Sequence, residues 1–187
     1  MDFDSLAGLK VCLIFGGWKL LVKMKPWPII ALILIVVASV GAAVYYAREV
    51  SIMGTPSLCR DPNNISNHVY NPARLQTVRD CVTVSGIVNN VIAEDDGDYH
   101  LWFHVDYQYA SLPNTANNGY RQGDLLAEII CATTVSQQDA VLACENYTNQ
   151  ILPIPSTDQN ITVTGPYVLD NVHGWMEVHP VYSLSVS

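Results

Sequence analysis

The chain has 187 residues, of which 50% are hydrophobic and only 14% charged, and its formal net charge is −8. About a quarter of the residues of an ordinary soluble domain are charged, so this chain is too apolar to be soluble throughout. The acidity argues against a protein that binds nucleic acid by neutralising phosphates. The high hydrophobicity excludes intrinsic disorder, and the length allows one domain and a small additional segment.

The excess hydrophobicity is concentrated in residues 29–47, which read IIALILIVVASVGAAVYYA and contain no charged residue. About twenty apolar residues cross the hydrocarbon core of a bilayer as a helix. Trp27 precedes the segment and Tyr45 and Tyr46 end it, and such aromatic residues are typical of the two membrane interfaces. We therefore predict a single transmembrane helix over residues 29–47.

The positive charges around this segment predict its orientation. All four lysines lie in the basic segment 1–28, at Lys10, Lys19, Lys23 and Lys25. The positive-inside rule places residues 1–28 in the cytoplasm, which makes the chain a single-pass protein of the cell membrane with its C-terminal domain outside. A cleaved signal peptide is the alternative, although the apolar run exceeds the usual length. Met24 would also suit a start of translation, which leaves the status of residues 1–23 open.

Residues 48–187 have a different composition. They contain five Arg, no Lys and fifteen Asp or Glu, which gives a net charge of −10. Residues 48–80 are rich in Pro, Asn and Ser and predict a membrane-proximal linker, with a short helical stretch allowed at 73–80. We expect an extracytoplasmic domain at 81–187, because this length suffices for a hydrophobic core.

Four of the five cysteines lie in this outer part, and an even number is typical of a disulfide framework outside the cell. Of the three possible pairings we favour Cys59–Cys81 and Cys131–Cys144, because each closes a short loop. Four buried free thiols are the alternative. A zinc site is disfavoured because the chain has no C-x₂-C pair.

The outer part also contains three N-x-S/T sequons, which are acceptor sites for N-linked glycans on exterior domains. Their asparagines are Asn64, Asn146 and Asn160. We predict these three as glycosylation sites.

Alternating polar and apolar residues predict five strands in the outer domain. The strands are expected at 81–93, 99–107, 125–132, 161–169 and 175–186, with a helix at 136–150 and a polar loop at 111–122. Gly86 and Gly165 fall in mid-strand, where glycine marks a bulge or a sharp bend. This order of elements is that of the OB-fold. The predicted fold class is mainly β: a five-stranded, OB-fold-like Greek-key barrel with one short helix, preceded by the transmembrane helix.

Several motifs carry a resemblance to known proteins. They are V-x-G-x-V at 84–88, DGDYH at 96–100, LLAEI at 125–129 and GPYVLDNVHGWMEVHPV at 165–181. Across 81–182 the chain resembles a group of uncharacterised secreted or membrane-anchored OB-fold proteins of prokaryotes. It is more distantly similar to OB-fold nucleases of the staphylococcal type, which carry a DGD turn. Those nucleases use arginines around calcium, whereas the five arginines here lie outside the predicted strands.

Two hairpins hold the candidate site, because the corresponding two loops of an OB-fold lie on the same side of the barrel and usually bind the ligand. The candidate ligand-binding residues are Asp96, Asp98, His100, Asp170, His173, Trp175, Glu177 and His179. Asp98, His100 and His173 form a candidate metal site, which would suit zinc better than calcium because imidazole supplies nitrogen ligands. The alternative is that these residues mainly stabilise the two turns.

The favoured function is a membrane-anchored binding or interaction module for a protein, a glycan or a metal ion. The chain has none of the common catalytic motifs, and a divalent metal is the only cofactor its residues suggest. Trp102, Tyr107 and Trp175 could stack on nucleotide bases, but the acidity makes nucleic acid an unfavourable partner. Small residues such as Ser39 and Gly41 would let the span contact another membrane subunit. The alternative function is a metal-dependent nuclease or phosphoesterase that uses the two hairpins.

Overall fold

A computed structural model describes residues 9–15, 18–24, 26–52, 59–149 and 151–187, and it describes side chains in 27–28, 30–47, 59–149 and 151–187. The chain divides into two compact units, one that ends at Arg48 and one that begins at Glu49.

The N-terminal unit contains a hairpin and most of a long helix, whose last four residues belong to the second unit. Strands β1 (Leu9–Phe15) and β2 (Trp18–Met24) pair antiparallel, and helix α1 spans Pro26–Ile52. Within α1, the stretch Ile30–Ala47 has a mean hydropathy of 2.4, and none of its side chains is buried. Among the described residues it is the only helix long and apolar enough to cross a membrane. Such an uncovered apolar helix is what a membrane span or a signal sequence presents.

The second unit is built on a mixed sheet of six strands, hydrogen-bonded in the order β3-β4-β5-β7-β6-β8. The strands are β3 (Leu75–Ala93), β4 (Tyr99–Val105), β5 (Leu125–Ile129), β6 (Asn160–Asp170), β7 (Met176–Val178) and β8 (Ser183–Val186). Strand β3 also pairs with β6, so the pairings close a ring of five strands. Neighbours are antiparallel except β5 and β7, which are parallel.

The two mid-strand glycines permit close approaches between backbones. A Cβ atom at Gly86 would lie 2.2 Å from the carbonyl oxygen of His104, and one at Gly165 would lie 2.3 Å from that of Pro180. Any other residue would clash with main chain at these points. Close backbone approach is one of the roles that a glycine within a strand signals.

The predicted helix at 136–150 is wrong, and the short helix of this unit lies elsewhere. Helix α2 spans Thr115–Arg121, inside the stretch predicted as a polar loop. Asn114 starts it by accepting the N–H groups of Ala116 and Asn117, and the Asn117 side chain accepts the N–H of Asn114 in return. This reciprocal cap satisfies backbone donors that a helix would otherwise leave unpaired. Residues 136–149 instead form a series of turns.

Strand boundaries also differ from the prediction: β4 and β5 end two and three residues early, and two differences are larger. The predicted fifth strand is divided into β7 and β8, because Pro180 has no N–H for a ladder. Strand β3 begins six residues earlier than predicted, so residues 75–80 of the predicted linker belong to the sheet, and the allowed helical stretch at 73–80 overlaps only a short 3₁₀ helix, Pro72–Arg74. Ile65 and Val69 are buried as well, so the folded part of the chain reaches further back than residue 81.

Apolar side chains form three clusters in this unit. The largest fills the inside of the ring, with Leu101, Phe103 and Leu125 fully buried. A second joins Trp102, Leu126 and Trp175 under helix α2. A third covers Ile65, Val69, Ile130 and Cys131. Because clusters lie against both faces of β5, all five of its residues are buried.

Both predicted disulfides are confirmed. Cys59 is bonded to Cys81, and Cys131 is bonded to Cys144. The first ties the incoming chain to β3, and the second closes a loop of turns behind β5. Disulfides of this kind persist in oxidising compartments, which hints at an extracytoplasmic location for this unit.

Candidate functional site

A network of buried charges lies beside the ring. Glu128 of β5, Asp170 at the end of β6, and Glu177 of β7 are at most 1% exposed. Arg74, just before β3, forms an ion pair with Asp170, and its guanidinium lies 3.6 Å from carboxylate oxygens of both Glu128 and Glu177. A buried charge is tolerated only when it is paired, so this arginine holds three carboxylates in place.

His179 is the second cation of this network. Its Nδ1 lies 2.7 Å from Glu128 Oε2 and 3.1 Å from Glu177 Oε1. Burial alone would lower the pKa of His179, but the two carboxylates raise it to about 10. The imidazole is therefore protonated at neutral pH, its Nδ1–H donates to Glu177 Oε1, and it forms an ion pair with Glu128. In return, His179 and His100 hold the pKa of Glu128 well below its usual value, although burial opposes this.

The β3–β4 hairpin brings Asp98 and His100 next to Glu128 of this network. Asp98 is 2% exposed and accepts the backbone N–H of Cys131 at 2.8 Å. Burial, with the nearby charges of Asp96 and Glu128, raises the pKa of Asp98 to about 7. His100 Nε2 lies 3.2 Å from Glu128 Oε1. Burial would lower the pKa of His100, but Glu128 and then Glu94 raise it.

The β6–β7 hairpin is ordered around Asp170. Its Oδ1 accepts the N–H groups of Val172 and His173 at 2.7 and 3.1 Å, and its Oδ2 lies 2.8 Å from His173 Nδ1. The His173 ring stacks on Trp175 with a centroid separation of 4.2 Å. Trp175 in turn donates its indole N–H to Glu177 at 2.9 Å. The hairpin is thus fixed to the buried network by side-chain hydrogen bonds.

An open cleft of about 350 Å³ lies where the two hairpins meet. Glu94, Asp95 and Asp96 line it from the β3–β4 hairpin, and His173 and Trp175 line it from the β6–β7 hairpin. Tyr120 and Arg121, at the end of α2, complete the wall. The two hairpins therefore line one cleft, and ligand binding there stays a prediction.

Aromatic rings form one wall of the cleft. Trp102 and Trp175 meet edge to face at 5.2 Å, and Tyr120 packs on both of them. The guanidinium of Arg121 lies over Trp102 and Tyr120 at 5.2 and 4.9 Å from their ring centroids. The two indoles are nearly buried, whereas Tyr120 is 61% exposed. The tyrosine ring is therefore the part of this wall that a ligand would contact.

The eight predicted site residues separate into two layers. Asp96, His100, His173 and Trp175 line the cleft. Asp98, Asp170, Glu177 and His179 lie buried behind it. Asp96 also accepts the N–H of Asp98 at 3.2 Å. The buried residues stabilise the two hairpins, as do Asp96 and His173 in the lining layer, and ligand binding by the lining residues stays a prediction.

The structure does not bring together the predicted metal ligands Asp98, His100 and His173. His173 is bonded to Asp170, and His100 lies between Glu94 and Glu128.

Among the described residues, two other groups have ligand atoms within 4.8 Å of one another. One is Asp98 with Cys131 and Cys144, whose sulfurs are already joined as a disulfide. The other is Asp98, Glu128 and His179, and it is buried. In this second group Glu128 already forms ion pairs with Arg74 and His179, and all three candidate ligands are buried.

Four important residues were missed by reasoning from the sequence: Arg74, Glu128, Tyr120 and Arg121. Glu128 had a usable signal, because it is the one charged residue in the apolar strand LLAEI. Tyr120 and Arg121 could have been found only by recognising Asn114 as a helix cap. Arg74 gave no signal, because it falls in a segment that resembles a linker.

The asparagines of all three sequons, Asn64, Asn146 and Asn160, are exposed. Exposure is what a glycosylation site requires, and the modification itself stays a prediction.

No family model, curated protein or solved structure matches the chain. The resemblance to prokaryotic OB-fold proteins and the distant similarity to staphylococcal-type nucleases therefore stay predictions.

Proposed function

We propose that the protein is a membrane-anchored binding module, whose outer domain is an OB-fold that takes a polar ligand in the cleft between its two hairpins. In this proposal α1 remains attached as the anchor, residues 1–28 face the cytoplasm, and the second unit lies outside. The lysines before the span support this orientation, and the two disulfides support an exterior location.

The strand pairing supports the OB-fold assignment. If β3 is counted as the first strand, the ring runs first-second-third-fifth-fourth and returns to the first, with the third and fifth strands parallel. A five-stranded Greek-key barrel with ligand loops after its first and fourth strands is the OB-fold arrangement. Helix α2 follows the second strand, whereas the sequence predicted a helix after the third.

The cleft is the observation that carries the binding function. It combines aromatic rings with three carboxylates, an arginine and a histidine, and a small set of convergent polar groups beside aromatic surface is typical of ligand sites. The buried network behind it fixes Trp175 and His173 before any ligand arrives. Such preorganisation reduces the free-energy cost of ordering side chains on binding.

A metal-dependent hydrolase has less support. Such an enzyme needs a metal with an open coordination position, and Asp98, Glu128 and His179 are buried. With the full-length chain in detergent micelles, we expect no turnover of bis(4-nitrophenyl) phosphate in zinc, manganese or calcium. Turnover that is lost in Glu128→Gln would establish the hydrolase instead.

The binding proposal is tested with tryptophan emission, because Trp102 and Trp175 lie at the cleft. The full-length chain in micelles is titrated with neutral oligosaccharides, short peptides and zinc ions. We expect at least one class to change the emission, and the change to disappear in Tyr120→Ala and persist in Leu142→Ala, an exposed site away from the cleft. Binding that both variants retain equally would place the site elsewhere.

A further inference from the structure

The cleft continues into a longer groove. A second cavity of about 410 Å³ shares Trp102, Tyr120 and Arg121 with the cleft. A third cavity of about 440 Å³ shares Gln122 with the second. Along β3 the lining runs from Ile92 to Ile87, a distance of about 17 Å at the usual rise of a strand. The groove therefore offers room for an extended ligand rather than for a single small molecule.

The lining chemistry is that of hydroxyl recognition. The second cavity contains the side-chain amides of Asn89, Asn90 and Gln122, and amides both donate and accept hydrogen bonds. Asp124 is fixed by Asn89, whose amide donates to its two oxygens at 3.0 and 2.9 Å. The amides of Asn90 and Gln122 can donate to and accept from the vicinal hydroxyls of a sugar ring.

Exposed tyrosine rings lie along the same path. Tyr120 stands between the first and second cavities, and Tyr107, which is 93% exposed, lines the third. An exposed aromatic ring offers a flat apolar face for the C–H face of a sugar. The buried Nε of Arg121 has no hydrogen-bond partner among the described residues, and it lies between the two cavities that share this arginine.

Two other classes of extended ligand fit less well. A peptide that adds as a strand would follow the edge of β3 at residues 89–93, where β4 is the only strand partner, but the groove is lined by β4 and the end of α2 as well as by β3, so it crosses the sheet face rather than following that edge. A nucleic acid needs a positive path, but Glu94, Asp95 and Asp96 line one end of the groove.

We infer that this groove binds a linear oligosaccharide built of neutral or amino sugars. The inference rests on the proposed binding function and adds the ligand class and the direction in which the ligand lies. One end of the oligosaccharide occupies the cleft between the hairpins, and the following sugar rings pass Tyr120 and reach Tyr107.

Calorimetric titration of the full-length chain tests this, in micelles of a detergent without a sugar head group. The probes are β-1,4-linked hexamers and dimers of glucose, N-acetylglucosamine and glucosamine, with a hexamer of uronic acid as the length-matched anionic control. We expect at least one neutral or amino hexamer to bind at least tenfold more tightly than its dimer and than the uronate. Equal binding of the uronate, or binding of none of the sugar hexamers, would overturn the inference.

Variants map the direction of the ligand. Tyr120→Ala and Tyr107→Ala should each weaken hexamer binding at least tenfold, whereas Leu142→Ala should leave it unchanged. Hexamer binding that is insensitive to Tyr107→Ala would refute the groove.

If only a peptide or zinc binds, and Tyr120→Ala abolishes that binding, the oligosaccharide inference fails and the proposed binding module stands. If no probe binds at the cleft, both fail.

Discussion

At the scale of single residues, the buried network makes the stability of the folded unit depend on pH. The pKa values of Asp98 and His179 are both raised, so both groups bind a proton more tightly in the folded than in the unfolded state. Their stabilising effect is complete at low pH. The contribution of Asp98 to stability is lost as the pH rises from 4 to about 7. The contribution of His179 is lost at higher pH, up to about 10.

Asp98→Asn should remove the first of these transitions. A pKa displaced from 3.8 to about 7 corresponds to about 4 kcal/mol of unfolding free energy lost between pH 4 and pH 8. Asparagine keeps an oxygen for the N–H of Cys131 and has no proton to lose. Denaturant unfolding at pH 5 and pH 8 should show the variant gaining stability relative to the wild type as the pH rises. Asp80→Asn, at an exposed site, should follow the wild type, and a parallel course for Asp98→Asn would disprove this account.

Arg74→Met should destabilise the folded unit strongly. It removes one charge and leaves the carboxylates of Asp170, Glu128 and Glu177 short of compensation, which typically costs about 3–5 kcal/mol. Thermal unfolding would measure the loss. Arg60→Met changes an exposed arginine and should alter stability by no more than about 0.5 kcal/mol. Equal effects of the two substitutions would contradict the role of Arg74.

At the scale of elements, the sequence predicted strands well where alternation and turns agreed. The hairpin around Gly97 was predicted correctly, because an Asp-Gly turn separates two alternating segments. The prediction failed at residues 136–149. A disulfide and a series of turns occur there instead of the helix that the moderate helical propensity indicated. Helix α2 was missed because its stability depends on a cap and on packing against Trp102 and Trp175 rather than on its composition.

Gly165→Ala should disturb the crossing of β6 with the chain at Pro180. The added Cβ would lie 2.3 Å from a backbone oxygen, so main chain must move, at a cost of about 1–3 kcal/mol. Gly119→Ala is the matched substitution, because nothing lies within 4 Å and the site is in α2. It should stabilise by up to about 1 kcal/mol. Melting temperatures that move in the same direction for both variants would argue against the close approach.

At the scale of the whole molecule, composition predicted the division into an apolar helical segment and an acidic folded unit. Periodicity and cysteine spacing then predicted the mainly β character and both disulfides. The convergence of the two hairpins followed from the expected fold. The buried network could not be predicted in this way. Strand pairing between distant parts of the chain brings Arg74 and Glu128 to His179, and local sequence patterns do not encode such pairing.

Labelling with a membrane-impermeant amine reagent tests the orientation. Every lysine lies in residues 1–28, so the wild type should react only after the cells are permeabilised. Asn67→Lys places an amine at an exposed site of the folded unit and should react in intact cells. The reverse pattern would show the opposite topology, and recovery of the protein in the soluble fraction would indicate that the anchor is cleaved.

The bond between Cys59 and Cys81 also determines how mechanical force would pass through the molecule. A pull transmitted from α1 enters the folded unit directly at β3, and residues 60–80 carry none of it. Strand β3 also carries the groove, and it is hydrogen-bonded to β4 on one side and to β6 on the other. Tension between a bound ligand and the membrane would therefore load one strand in shear, with two neighbours sharing the load.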